Sequence, residues 1–340
     1  MKDSILSALI LASRVNKGLG KSLTQRVIGE KADVVTKGDM EIGEKIIKTL
    51  LISKPQIVVE SEEKGKESNL EPGEQERFYV AIDDIDGTNN LRVGNGLLPY
   101  CSMIVAFDGS KKTEAGYKYS DYTHAACIDY STDKIFYTEK GLGKVEVYDT
   151  GWNKITDSSE IKQDNSNLAL TLSTDVVSTQ RGGTTGYAKS PVANVSIFPG
   201  LLDAVYKSFA IVDSGCSVFE YAMVGMGIRN GYVSSGKKQH ELPLLYAFAK
   251  ETGQQMVDFD GNYYDNKTYD FKGGNAEVVA GDPKVIAEVL KNINFQKQAI
   301  ARVQDLIRST GSKGPASAAM TRKRWADAAD KQDGKDEQDL

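Results

Sequence analysis

Two carboxylates three residues apart, Asp83 and Asp86, followed directly by Gly87 and Thr88, close an apolar run from Phe78 to Ile82. The run is β-branched and aromatic, as a core strand should be, and Asp86-Gly87 has the composition of a turn. The acids would then stand at a strand's carboxyl end, where open α/β sheets hold their ligands. Acids this close repel, and one takes up a proton unless a cation neutralises them. No His or Cys lies between Phe78 and Asn90, so an all-oxygen set would select Mg²⁺, Mn²⁺ or Ca²⁺ over zinc. Taken alone, the segment fits an ordinary acidic turn after a strand equally well.

Other segments distinguish the two readings. Asp83-Asp84-Ile85-Asp86-Gly87-Thr88 resembles the Asp-Pro-Ile-Asp-Gly-Thr signature of the inositol monophosphatase family of Mg²⁺-dependent, lithium-sensitive phosphatases. The wider superfamily includes fructose-1,6-bisphosphatases and 3′(2′),5′-bisphosphate nucleotidases. Upstream, Asp33-Val34-Val35-Thr36-Lys37-Gly38-Asp39 is similar to the family's Asp-Leu-Val-Thr-x-x-Asp, and Glu62-Glu63 to its Glu-Glu pair. Downstream, the run from Gly215-Cys216-Ser217 to His240-Glu241 resembles in spacing the family's run from Gly-Ser/Thr-Ala to Trp-Asp. The likeness covers about residues 1 to 294 and is carried by motifs in the first half and mostly by spacing in the second.

The resemblance implies hydrolysis of a phosphate monoester by two or three Mg²⁺ ions, with Mn²⁺ as the alternative; a pair of ions about 4 Å apart activates a water and stabilises the leaving oxygen. Asp83 is expected to bridge the ions. Glu62 and the Ile85 carbonyl would complete the first ion's ligands, and Asp86 and Glu241 would hold the second. Thr88 would orient the water together with Glu62, which takes up its proton. Asp39, near a helix start, is either a cap or a participant in the site. Gly87 and Thr88 offer backbone amides to the phosphate, and Gly215, Cys216, Ser234 and Lys237 complete the expected substrate contacts.

The chain also departs from the pattern. Asp84 replaces the signature's proline, loosening the turn and adding a third charge beside the metals. Glu241 replaces an aspartate and moves its oxygens one methylene outward. His240 replaces a tryptophan, and offers a nitrogen ligand, a proton donor or simply an imidazole on the surface. Val212 stands where family members usually carry arginine, and Ser234 where the inositol enzymes carry an acid. An inositol or sugar phosphate is the expected substrate. Lys237 and Lys238 could meet a second phosphate, which keeps sugar bisphosphates and bisphosphate nucleotides as rivals. A non-catalytic homologue that retains the fold for binding or assembly is the alternative of a different kind.

These residues need elements to hold them. Apolar spacing predicts helices over 3–28, 39–52, 217–229, 242–252, 283–290 and 296–307, and strands at 56–60, 78–82, 101–107, 114–119, 125–130, 134–137, 168–172, 231–233 and 277–280. Residues 61–76 read as a mobile loop beside the metal site. The alternation predicts an α/β layered fold, and the resemblance narrows it to an αβαβα sandwich. A phosphatase domain would span 1–294, its half 1–150 carrying the metals and 151–294 completing the site. Residues 295–340 would form a helical extension and a disordered tail, in which the basic cluster Arg322-Lys323-Arg324-Trp325 is solvated or meets a polyanion.

A chain of 340 residues, 40% hydrophobic, can bury a substantial core. Its net charge of −5 gives no general attraction to nucleic acid or to an anionic membrane. Three cysteines with no CxxC pair argue against a disulfide framework and suit a reducing cytoplasm. The run Ile5–Ala12 after Lys2 reads as part of an amphipathic helix rather than a secretory segment, because Asp3 precedes it and the apolar pattern resumes at Val15, Leu19 and Leu23. Gly20-Lys21-Ser22 lacks the strand and first glycine of a P-loop. The helix faces would permit a homodimer.

Overall fold

The computed structural model describes residues 1–28, 35–94, 96–161, 168–172 and 209–309. The chain divides into two units, Met1–Ile293 and Asn294–Leu340. The expected tail beyond 309, its basic cluster, and Asp33 and Val34 of the upstream motif lie outside the described residues.

Helix α1 (Lys2–Leu19) is followed by a 3-10 turn and strands β1 (Arg26–Ile28) and β2 (Val35–Thr36), then by helix α2 (Lys37–Ser53). An eight-stranded sheet follows. Its members are β3 (Ile57–Ser61), β4 (Gly65–Ser68), β5 (Phe78–Asp86), β6 (Cys101–Asp108), β8 (Tyr122–Asp129), β9 (Lys134–Glu139), β10 (Glu146–Asp149) and β11 (Lys154–Asp157). The spatial order is β11-β10-β9-β8-β6-β5-β3-β4. Only β3 and β5 run parallel, so they end at the same edge. Helix α3 (Thr88–Gly94) leaves that edge, while β7 (Tyr117–Lys118) pairs outside the sheet with β16 (Thr268–Tyr269).

A second sheet of five strands has β12 (Ala169–Leu172), β13 (Ala210–Val212), β14 (Gly231–Lys237), β15 (Gln255–Val257) and β17 (Ala276–Gly281), with β14 central. Helices α4 (Ser217–Gly225) and α5 (Leu242–Glu251) flank β14 in sequence, and α6 (Pro283–Ser309) follows β17.

Period-two alternation sorts side chains into layers. Val80 and Ile82 of β5 join Ile5, Leu9, Ile46 and Leu50 of α1 and α2 in one apolar cluster. Their neighbours Tyr79 and Ala81 join a second cluster with Tyr221, Leu245 and Phe248 of α4 and α5, and with Tyr232, Val278 and Ala280 of the five-stranded sheet. The far face of that sheet is covered closely: a Cβ on Gly231 would stand 3.0 Å from Val285 of α6. The order is helix, sheet, helix, sheet, helix, the sandwich expected.

Several boundaries differ from expectation. The first helix stops at Leu19, because Gly20 adopts φ +49°, a left-handed conformation. Residues 61–76 contain an ordered hairpin: β3 turns through Glu62-Glu63-Lys64 into β4, whose polar residues lie on the sheet's outer edge. Strand 114–119 contracts to β7, and β10 and β11 were not anticipated. The helices expected at 283–290 and 296–307 are one, α6. Strand 231–233 continues to Lys237 and so brings Lys237 beside Glu241.

Candidate metal-dependent active site

Residues i and i+3 of a regular strand face opposite sides. Asp83 and Asp86 nonetheless serve one cluster, because the register against β6 shifts between them: Asp83 opposes Met103, and Asp86 opposes Cys101. Such an irregularity re-aims side chains at a strand's end. Asp84, between them, turns away. It is fully buried, and its Oδ2 accepts from Ser61 Oγ at 2.6 Å and from the Glu63 amide at 3.1 Å. The extra charge expected beside the metals is therefore spent on the β3–β4 turn. Burial pushes Asp84 up to about 7.

Glu62, Asp83 and His240 form one set of ligand atoms within 4.8 Å of one another, and Asp83, Asp86 and Glu241 form a second. Asp83 belongs to both. His240 Nε2 stands 3.3 Å from Glu62 Oε2, 3.7 Å from Asp83 Oδ2 and 3.9 Å from Glu241 Oε1. Lys237 Nζ lies 2.8 Å from Glu241 Oε2, and Lys238 pairs with Glu62. Asp86 Oδ2 accepts from the Val218 amide at 2.7 Å and lies 3.3 Å from the Cys216 thiol.

Burial raises Asp83 well above the usual carboxylate range, and His240 offsets only part of this. Burial likewise raises Glu241, against the pull of Lys237. Burial also opposes the charge of Glu62, but His240 and Lys238 overcome it and hold Glu62 at about 2. His240 itself, despite burial, is lifted to about 10 by Asp83 and Glu62. Glu63, raised to about 7 by burial and then by Glu62, contributes its backbone amide to Asp84. Glu60 is turned away and accepts from Tyr79 Oη at 2.9 Å.

The donor set fits divalent ions. Three carboxylates on one side supply the hard oxygens that Mg²⁺ and Mn²⁺ take. On the other side His240 Nε2 faces the same acids, and a divalent ion among them would displace the imidazole's proton and take the nitrogen as a ligand.

Asp39 is the third residue of α2 and performs two tasks. Its Oδ2 accepts from the Thr36 amide at 2.7 Å, while Thr36 Oγ1 accepts from the Asp39 amide at 3.4 Å, closing a capping box. Its Oδ1 accepts from Thr88 Oγ1 at 3.3 Å. Thr88 Oγ1 is also 3.0 Å from the Ile85 carbonyl, which retains a second lone pair. Asp39 thus caps α2 and also touches Thr88.

Gly87 has φ +82°, and a Cβ there would meet Cys216 and the Pro99 carbonyl at 3.1 Å. Gly215, φ +73°, lies against the side chain of Asn90. Cys216 and Ser234 are beneath the surface, at 1% and 0% exposure. Cys216 backs Asp86, and Ser234 accepts from the Gly236 amide at 3.4 Å within β14. Lys237 is buried on Glu241. Of the expected substrate contacts, Lys237 and Cys216 lie on Glu241 and Asp86, Gly87 and Thr88 follow Asp86 in the chain, and Ser234 is bonded within its own strand.

Sequence reasoning missed three supports. Asn90 Nδ2 donates to the carbonyls of Pro99 and Ser214 at 2.9 and 2.7 Å, joining α3 to the segment before α4. The Val218 amide anchors Asp86, and no side chain announces it. Ser61 holds Asp84, and its signal was its place just before Glu62.

The sequence matches the model of the inositol monophosphatase family over residues 4–298. A search of curated protein sequences gives no significant match. Among solved structures, the extragenic suppressor protein suhB of Bartonella henselae superposes with a TM-score of 0.63 at 15% identity, covering 86% of this chain and 97% of that one. The IMPase of Thermotoga maritima gives 0.59 at 17% identity, with 87% and 97% covered. An IMPase/NADP phosphatase complexed with NADP and Ca²⁺ gives 0.58 at 19%, with 86% and 94% covered. With the acidic edge of β3 and β5 and the layered sandwich, the match over nearly the whole chain shows that this protein belongs to the inositol monophosphatase family, a family of metal-dependent phosphatases.

Proposed function

We propose that the protein hydrolyses a small phosphate monoester, an inositol or sugar phosphate, with Mg²⁺ or Mn²⁺ held by Glu62, Asp83, the Ile85 carbonyl, Asp86 and Glu241. The observation that carries this reading is the sharing of Asp83 between two ligand sets. Bound divalent ions would supply Lewis-acid charge and a water of lowered pKa.

The chain's own residues supply orientation and proton transfer. Thr88 has one hydroxyl proton, and giving it to Asp39 leaves lone pairs on Oγ1 to accept from the attacking water. The cap on α2 keeps Asp39 in place for this. Glu62, held ionised by His240 and Lys238, takes the water's proton once Lys238 has swung aside and its hold on the carboxylate is released. Lys237 and Lys238, released from the acids, are positioned to meet phosphate oxygens, and the amides of Gly87 and Thr88 contribute further donors. With Lys237 and Lys238 beside the acids, bisphosphate nucleotides and sugar bisphosphates remain alternative substrates, and the NADP bound by one structural relative makes nucleotides the first to try.

The test is phosphate release from a panel of monoesters with Mg²⁺ or Mn²⁺. Turnover should require the ion, fall on adding lithium, and vanish in Asp86→Asn without loss of fold. Lys237 on Glu241 and Lys238 on Glu62 favour one competing reading, a binding homologue whose acids are neutralised internally. Absence of turnover on every ester with either ion would decide for it. No helix among the described residues is long and apolar enough to cross a membrane.

A further inference from the structure

We propose that His240 is itself a metal ligand, giving the Glu62–Asp83 position a nitrogen donor and a preference for Mn²⁺-type transition ions, while the Asp83–Asp86–Glu241 position stays all-oxygen. This rests on the reading of the acidic cluster as a divalent-ion site and adds what this chain's own residue does there.

The geometry is specific. The imidazole is 5% exposed, and its Nε2 faces three carboxylates at 3.3, 3.7 and 3.9 Å. These atoms lie within 4.8 Å of one another, and an ion between Nε2, Glu62 and Asp83 would take all three as ligands, displacing the imidazole's proton. The ring is held in place by stacking on Phe271, centroids 5.3 Å apart and planes 28° apart. His240 and Glu241 are consecutive just before α5, so the turn sends one residue to each ligand set. Imidazole suits first-row transition ions, whereas Mg²⁺ demands oxygen. The two cation positions are therefore chemically different, and the tryptophan of the family's motif could not make them so.

The experiment uses the full chain, freed of metal by chelation, and Mn²⁺ or Mg²⁺ alone. Pulsed EPR of the Mn²⁺-loaded protein should show nitrogen coupling from one imidazole. The chain has two histidines, so His124→Gln should keep the signal and His240→Gln should remove it. Calorimetric titration should show the preference for Mn²⁺ over Mg²⁺ at one position falling at least about 10-fold in His240→Gln. Nitrogen coupling in His124→Gln suffices to support the assignment even if His240→Gln fails to fold. Mn²⁺ binding without nitrogen coupling would overturn the role of His240 while leaving the phosphatase reading intact. Failure to bind either ion would overturn both.

Discussion

Asp84 Oδ1 stands so close over Gly43 of α2 that a Cβ on Gly43 would fall 1.8 Å from it. The residue that replaces the signature's proline thus has its counterpart in a helix 41 positions upstream, where only a glycine leaves room.

Gly43→Ala should accordingly destabilise the protein by about 1–3 kcal/mol, although alanine is the better helix former. Asp84→Ala should recover much of that loss in the double variant, a coupling measurable by chemical denaturation. Additive losses would show that the two residues do not contend for the same space.

Thr88 and Asp39 should separate in a paired assay. Thr88→Ala removes the hydroxyl that accepts from the water and should lower kcat by about 10²-fold or more, with little change in Tm. Asp39→Ala loses the same partner and also the helix cap, so it should cost a similar factor in kcat and about 1 kcal/mol of stability. Equal Tm values for both variants would count against the double duty of Asp39.

Lys237→Met leaves Glu241 buried without its cation. Metal-free protein should lose of the order of 3 kcal/mol, and saturating Mn²⁺ should restore most of it. The rise in Tm on adding the ion would then exceed that of the unaltered protein, as read by a melting curve with and without Mn²⁺. A smaller rise would mean that Lys237 assists the ion rather than standing in for it.

His124 gives stability a pH dependence remote from the acids. Burial, then the positive charges of the amino terminus and Lys2, push its imidazole down to about 4, although Glu139 Oε2 lies 3.6 Å away. The native state therefore favours the neutral ring, and the unfolded chain, near pH 6.5, binds the proton first. Stability from this group is complete above pH 6.5 and is lost as pH falls toward 4, by up to about 3 kcal/mol. His124→Gln should flatten that slope in denaturation curves taken between pH 4 and 7.

The acid-bearing strand was legible because Phe78–Ile82 is apolar and ends in carboxylates, a local pattern. The direction of Asp84 was not, since it depends on the irregular register with β6, and one residue of slip reverses a side chain. The hairpin at Glu62 was hidden because an exposed edge strand carries the composition of a loop. Glu62 and Glu241 were named by resemblance to a family; only the fold shows that the parallel pairing of β3 with β5 and the extension of β14 bring them together. The pairing of the lysines with these acids is a long-range matter, and no spacing in the sequence encodes it.

Asp83 and Asp86 belong to the larger sheet, whereas Glu241 follows the central strand of the smaller one. A cation gripping all three would act as a clasp across the seam of the sandwich. Stripping it should speed amide hydrogen exchange at β5 and β14 together and spare β9 and β10, several strands away from that seam.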